Sequence, residues 1–277
     1  MTSPALQEVV ALLGCPAAGN PAQYLFERMI AAAGLDWRFV TFEVAADRVD
    51  AAVAGVAAMG FRGCLLSGPL RGPALSAMAT ASPAATFTGA VGLAERQPGG
   101  LAGHMTDGRG VLESLRTHVD PTDVPVLLVG AGAAGRATAL ELALARAGEI
   151  VVCDRDPKRA DALVLALAGV AAVPATALAW EPALAIPPRV GIVVSAVPAG
   201  VRPPVALGGF RADLVVADLA LGCQPTPLVA AARAGGCCVI DGLEIHCART
   251  AIDFHTLTGI DPDTEMIREA LDEFLST

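Results

Sequence analysis

Short apolar runs alternate along this chain with alanine-rich stretches whose polar residues recur at helical spacing, the pattern of strands followed by helices. Residues 7–14 read as a first strand and 22–33 as a helix, with Asn20 as its N-cap and Pro21 at its first position. Residues 37–44 predict a second strand, 47–59 a helix and 63–66 a third strand; this βαβαβ opening implies a parallel sheet. Residues 85–103 predict a strand and hairpin turning at Gln97-Pro98-Gly99-Gly100. Gly103-His104-Met105-Thr106-Asp107-Gly108 opens a helix over 109–118, and 121–125 form a short polar joint. Further strands are expected over 126–129, 150–153, 190–194, 213–219 and 237–240, with helices over 136–147, 158–167 and 227–234. Two closing helices span about 244–257 and 263–275. Two α/β sheets thus stand either side of one joint, and the active site is expected in the cleft between domains.

The strand at 126–129 runs into Gly130-Ala131-Gly132-Ala133-Ala134-Gly135, and the strand after the next helix ends on Asp154, 24 residues beyond Gly130. A bare G-x-G-x-x-G is weak evidence. Between a strand and a helix, with that carboxylate behind it, it points to dinucleotide binding, the alternative being a structural βαβ unit without ligand. Gly130 permits the tight turn, Gly132 lets backbone amides approach a pyrophosphate, and Gly135 lets the helix pack on the sheet. The helix N-terminus presents free N–H groups and partial positive charge to the phosphates.

Composition narrows the partners. A chain of 277 residues is long enough for a large core and two domains, and its 54% hydrophobic content with only 4% aromatics implies close packing of small side chains. A net charge of −9 argues against nucleic acid or an anionic membrane as the main partner; a small-molecule substrate and a monomer or homodimer are expected. With no charged-then-apolar N-terminal signal and no unbroken apolar span of about 18 residues, a cytoplasmic protein is expected. The seven cysteines include no C-x-x-C, so buried free thiols are expected and no metal site; Cys237 and Cys238 fall on one strand, pointing to opposite faces. Lys158 is the only lysine, which excludes a catalytic lysine anywhere else.

The ordered motifs resemble the shikimate dehydrogenase family. Gly130 to Ala134 stand at its glycine loop, and Ser195-Ala196-Val197-Pro198-Ala199-Gly200 is similar to its Asn-Ala-Thr-Pro-x-Gly loop beside the nicotinamide. Thr226-Pro227-Leu228, Asp241-Gly242-Leu243, Phe254 and Thr258-Gly259 follow its closing order. Gly63 to Arg71 resembles its Gly-x-Asn-Val-Thr-x-Pro-x-Lys, and Thr106-Asp107-Gly108-Arg109-Gly110 its Thr-Asp-Gly-x-Gly. The resemblance implies an α/β, two-domain chain: an N-terminal α/β substrate domain (1–107 with 245–277) and a Rossmann, doubly wound dinucleotide-binding domain (108–244). It implies cofactor contacts from Gly130, Ala131, Gly132, Ala133, Ala134, Gly135, Asp154, Arg155, Asp156, Ala196, Val197, Pro198, Leu221, Gly242 and Ile245.

Departures from the family cluster at the substrate end. The family's catalytic lysine reads Arg71, its Asn and Thr before the proline read Leu65 and Ser67, the Asn before Thr-Asp-Gly reads Met105, and the Asn of its Ala-Val-Asn-Thr strand reads Gly92. Its N-terminal serine pair falls where Ala17 to Pro21 leaves only Asn20, its late-helix Gln reads Arg249, and its tyrosine before Thr226 reads Leu221. A hydroxyl-rich ligand would meet apolar walls at Leu65, Gly92 and Met105, so shikimate is not expected as the substrate. Arg71 is no general base, since a guanidinium stays protonated, but it can clamp a carboxylate or polarise a carbonyl oxygen. Asp107 is the acid expected in catalysis, against the plainer reading that Thr106 or Asp107 caps a helix. Ser67, Arg249 and Asn20 are the expected substrate contacts, although Arg249 could equally pair with Asp253 at i,i+4. His104 is a minor candidate proton carrier. The reading is an NAD-dependent dehydrogenase of a carboxylate-bearing alcohol or ketone, NADP being the alternative cofactor and a silent dinucleotide-binding sensor the alternative function.

Overall fold

The computed structural model describes residues 7–198, 200–206 and 208–276. The chain divides into two units, Met1–Thr106 with Thr250–Thr277, and Asp107–Arg249. The first holds β1 (Glu8–Gly14), α1 (Ala22–Ala32), β2 (Trp37–Glu43), α2 (Val49–Ala58), β3 (Gly63–Leu66), β4 (Thr80–Ala81), α3 (Pro83–Thr88), β5 (Leu93–Gln97) and β6 (Gly100–His104). Its six-stranded sheet runs β2-β1-β3-β5-β6-β4. The first three strands are parallel, as the βαβαβ pattern requires, and β5 is antiparallel to both of its neighbours.

Two local expectations fail here. Residues from 85 onward do not begin a strand: Pro83–Thr88 is a helix. Ser82 caps it by accepting the Ala85 N–H, Pro83 takes its first turn, and Gly89 ends it at φ 67°. Strong caps outweigh the strand preference of Thr86-Phe87-Thr88. The helix expected from Asp47 begins at Val49, after a 3-10 turn over Ala46–Arg48.

The second unit holds α4 (Asp107–Arg116), β7 (Pro125–Val129), α5 (Ala133–Leu144), β8 (Glu149–Cys153), α6 (Pro157–Ala168), β9 (Ala175–Leu178), β10 (Ile192–Ser195), β11 (Val215–Asp218), α7 (Pro227–Ala234) and β12 (Cys238–Ile240). All its strands are parallel, in the order β12-β11-β10-β7-β8-β9. This is the doubly wound Rossmann order, and its direction of winding reverses between β7 and β10. Both strands are buried on both faces, which explains their unbroken Val/Leu/Ile runs. Strand β9 was not foreseen, its four residues being too short and too exposed to carry a period.

α8 (Gly242–Thr258) and α9 (Thr264–Ser276) close the chain. The later part of α8 belongs to the first unit, where Phe254 packs on Phe26 with ring centres 5.9 Å apart, and Phe26 on Phe39 at 4.9 Å. The cysteines are free but not uniformly buried: Cys64, Cys153 and Cys247 are buried, Cys223 and Cys238 exposed, and Cys15 and Cys237 half-buried. Only Cys238 of the adjacent pair lies in β12; the Cys237 thiol turns to the Arg211 carbonyl. No helix among the described residues is long and apolar enough to cross a membrane, and none of their His, Cys, Asp and Glu side chains form a metal-holding group.

Candidate functional site

In the second unit the glycine turn sits at the C-terminal end of β7, where the sheet reverses its winding. Gly130 adopts φ +103°, and a Cβ on it would stand 2.8 Å from the Ala196 carbonyl oxygen. A Cβ on Gly135 would stand 1.8 Å from the Gly130 oxygen, so α5 can pack against its own turn only through glycine. Gly132 differs. Its φ is −71° and nothing lies within 4 Å of where its Cβ would be. The backbone there is bare and faces open space, the requirement for a pyrophosphate to approach the N-terminus of α5, with Ala133 and Ala134 in the first turn. The Ala196 N–H donates to Val129, so the Ala196-Val197-Pro198 loop is joined to the glycine turn; Ala199 in that loop lies outside the described residues. Ser195 heads the loop with a buried hydroxyl that has no hydrogen-bond partner among the described residues.

Asp154, at the end of β8, accepts the Ala131 N–H on Oδ2 at 2.6 Å and the Asp156 N–H on Oδ1 at 2.8 Å. The expected ribose-binding acid therefore also ties the glycine turn to the next strand. Asp156 caps α6 through the Lys158 N–H at 3.0 Å, and Arg155 between them is exposed. Cys153 just before is no nucleophile, since burial and the neighbouring Asp154 push its thiol up to about 11. At the ends of β11 and β12, a Cβ on Gly242 would meet the Ala220 oxygen at 2.2 Å and the Leu221 nitrogen at 2.9 Å. Gly242 thus packs the start of α8, with buried Ile245, against the Leu221 segment. What shapes that segment was not foreseen. Asp218, 2% exposed, accepts the Thr226 hydroxyl at 2.6 Å and the Ala220 N–H at 3.3 Å. An acid at the very end of a buried strand was the available signal.

Asp107 opens α4 and is buried. Its Oδ1 takes Nη1 of Arg249 at 3.1 Å. A partner from 142 positions away was not foreseen; the expected alternative was Asp253, one helical turn on. Asp253 accepts the Thr106 hydroxyl at 2.6 Å, both residues being buried. The two glycines after Asp107 have separate purposes: a Cβ on Gly108 would stand 2.2 Å from the Ala137 oxygen of α5, and one on Gly110 2.8 Å from Arg249 Cβ.

In the first unit the C-terminal ends of β1 and β3 bring the other candidates together. A Cβ on Gly14 would touch Ala17 Cα at 2.7 Å and the Ser67 hydroxyl at 2.9 Å, so the Ala17–Asn20 turn folds back beside Ser67. Glu43 at the end of β2 anchors that turn by accepting the Ala17 N–H at 2.7 Å, a contact the sequence reading missed. Asn20 accepts the Ala22 N–H on its amide oxygen at 2.9 Å, but Pro21 and not Asn20 is the N-cap of α1; the amide nitrogen can donate to a ligand. Arg71 is half-buried rather than solvated, its Nε donating to the Leu66 carbonyl at 3.0 Å. A Cβ on Gly92 would lie in ordinary contact with Met105 Sδ at 3.6 Å, and Leu65 and Met105 are themselves buried. His104 lies 3.4 Å from Glu95.

Residues 12–93 match the model of the shikimate dehydrogenase substrate binding domain. Over 274 residues the chain is 32% identical to the shikimate dehydrogenase (NADP(+)) of Moorella thermoacetica, covering 96% of this chain and 92% of that one. Its fold matches the ligand-free 5-ketofructose reductase of Gluconobacter sp. strain CHM43 with a TM-score of 0.91 at 30% identity, over 97% of this chain and 99% of that one. Quinate dehydrogenase from Corynebacterium glutamicum in complex with NAD matches with a TM-score of 0.80 at 25% identity, over 98% and 99%.

Proposed function

The chain belongs to the shikimate dehydrogenase family of NAD(P)-dependent oxidoreductases, and on that premise we propose that it oxidises or reduces a carboxylate-bearing alcohol or ketone other than shikimate. The observation that carries the cofactor part is the bare backbone at Gly132, set on the turn where the sheet reverses its winding. When bound, the nicotinamide supplies the hydride donor or acceptor. Residues 130–135 would cradle the pyrophosphate, and Ala196, Val197, Pro198, Leu221, Gly242 and Ile245 would flank the cofactor. Residues 1–107 with 245–277 form the substrate domain in this reading and residues 108–244 the cofactor domain.

Arg71 would hold the substrate's carboxylate or its reacting oxygen, with Ser67 and the Asn20 amide nitrogen as hydrogen-bond donors. Asp107 would take the hydroxyl proton in oxidation and return it in reduction. Gly92 beside the buried Met105 thioether supports a substrate other than shikimate, because neither side chain offers a strong hydrogen bond to a ligand hydroxyl. A panel of shikimate, quinate and other hydroxy acids with NAD, and of 5-ketofructose with NADH, tests the reading. Turnover of a carboxylate substrate other than shikimate is expected. Efficient shikimate oxidation, with kcat/KM on the order of 10⁴ M⁻¹s⁻¹ or more, would refute the substrate assignment. Turnover of 5-ketofructose alone would refute the carboxylate. Tight dinucleotide binding with no turnover of any substrate would favour a silent sensor.

The preferred cofactor in this proposal is NAD. Asp154 is held by two backbone amides and Asp156 by its cap, so neither acid can swing away from a 2′-phosphate. At ~4 Å each like-charge pair costs on the order of 1 kcal/mol in water and about 4 at an effective dielectric near 20. Exposed Arg155 offsets part of this. Calorimetry on the apoprotein is expected to give tighter binding of NAD than of NADP. Asp154→Asn with Asp156→Ser, which keeps the α6 cap, is expected to narrow the ratio, and an unchanged ratio would show that these acids do not read the ribose.

A further inference from the structure

At the start of α4 the Asp107 carboxylate is 8% exposed, and the Arg249 side chain that reaches it from α8 is 19% exposed. The contact is built into the backbone. Position 110 is glycine, and a Cβ there would stand 2.8 Å from Arg249 Cβ and 3.1 Å from its Cα. Any larger residue would push α8 off α4 and lengthen the pair. A cation in contact with a carboxylate this far from water favours its charged form. A guanidinium, unlike an ammonium, cannot give up its proton to escape that environment.

We propose that Arg249 is a positioning residue for Asp107, holding its carboxylate charged and in one orientation for the proton it exchanges with substrate. The proposal rests on Asp107 being the acid of the reaction. It makes Arg249 a partner of the reacting group and not primarily an anchor for the substrate's own charge. Charged groups of the same unit near this end of α4 include Arg109 on α4 itself and Glu141 on α5, whose carboxyl is raised by burial and lowered by Arg109. His118 and Glu244 pair at the far end of α4. Arg249 is in direct contact with the Asp107 oxygen.

The full chain labelled with carboxyl-¹³C aspartate is titrated by NMR as wild type, Arg249→Gln and Arg249→Lys, with Asp107→Asn identifying the signal. An opposite charge at this distance lowers a carboxyl's midpoint by about one to three pH units. Arg249→Gln is therefore expected to move the Asp107 midpoint upward by at least about one unit, a roughly tenfold weaker acid, and Arg249→Lys by less. In parallel, kcat and KM are measured with NAD and with shikimate, quinate and 5-ketofructose as probes. A fall in kcat of about tenfold or more in Arg249→Gln is expected, partly recovered in Arg249→Lys, with KM for the dinucleotide changed less than about twofold. An unmoved midpoint overturns the proposal. So does a moved midpoint with kcat unchanged. Should Arg249→Gln fail to fold, Arg249→Lys decides alone: an unmoved midpoint and wild-type kcat overturn it. If the wild type turns over none of the probes, the proposed activity fails, and the titration by itself decides whether Arg249 holds Asp107.

Discussion

Asp107 is the residue on which the proposed chemistry turns, and its environment allows a clean substitution. Asparagine keeps an oxygen for Arg249 and starts a helix nearly as well. Asp107→Asn is therefore expected to leave dinucleotide affinity nearly unchanged while lowering kcat about 10²-fold or more, since general acid–base help is worth about 10²–10⁴. Equal turnover in mutant and wild type would remove Asp107 from the mechanism. Two buried thiols make a second, independent prediction. Burial pushes Cys64 up to about 12, and burial with Asp154 pushes Cys153 up to about 11, from an ordinary 9.0. The native state thus holds these protons more tightly than the unfolded chain. Their stabilisation is complete below pH 9 and is lost as pH rises through 11 and 12, by about 1.4 kcal/mol per pH unit for each thiol. Urea midpoints measured from pH 8 upward should fall less steeply in Cys64→Ala with Cys153→Ala, and parallel curves would show that these thiols do not drive the alkaline loss.

At the scale of the element, the glycine turn separates folding from binding within six residues. Gly135→Ala would place a methyl 1.8 Å from the Gly130 oxygen, and α5 would have to move. A loss of about 1–3 kcal/mol or more is expected, together with loss of dinucleotide binding. Gly132→Ala meets nothing within 4 Å and keeps an ordinary φ of −71°. Its stability should match the wild type while its dinucleotide affinity falls about tenfold or more, because the methyl takes the space left for the pyrophosphate. Thermal melts and calorimetry on the two variants read the two effects apart. Unchanged affinity in Gly132→Ala would show that the turn is a structural βαβ connection and no ligand cradle.

At the scale of the whole molecule, the first unit is completed only by the end of the chain. Phe254, Leu257, Ile267 and Leu271 are buried, and Phe254 packs on Phe26 of α1. A Cβ at Gly63 would already collide with Leu257 at 2.7 Å, so α8 lies tightly on β3. The second unit, by contrast, carries every strand of its sheet in one continuous stretch. Residues 107–258 expressed alone are expected to fold cooperatively and bind the dinucleotide, while residues 1–106 alone are not expected to fold. Circular dichroism melts and calorimetry check both; a folded 1–106 fragment would show that α8 and α9 are dispensable to that core.

What the residues determined by themselves was local. Unbroken apolar runs placed β7, β8 and β10, and the Thr-Pro pair started α7 at Pro227, because strand period and helix capping act over a few neighbours. The spacing of Gly130, Gly132, Gly135 and Asp154 was legible for the same reason, all four lying within one βαβ unit. Even a local signal can be misread: the Ser82 cap and Gly89 stop that make 83–88 a helix were both there to be seen. Tertiary structure alone decided the partners of the charged groups. Asp107 meets Arg249 across 142 positions, and Thr106 meets Asp253 across 147. No period or spacing encodes such a meeting; it follows from how closely α4 and α8 can pack, and that is set by one missing side chain at Gly110.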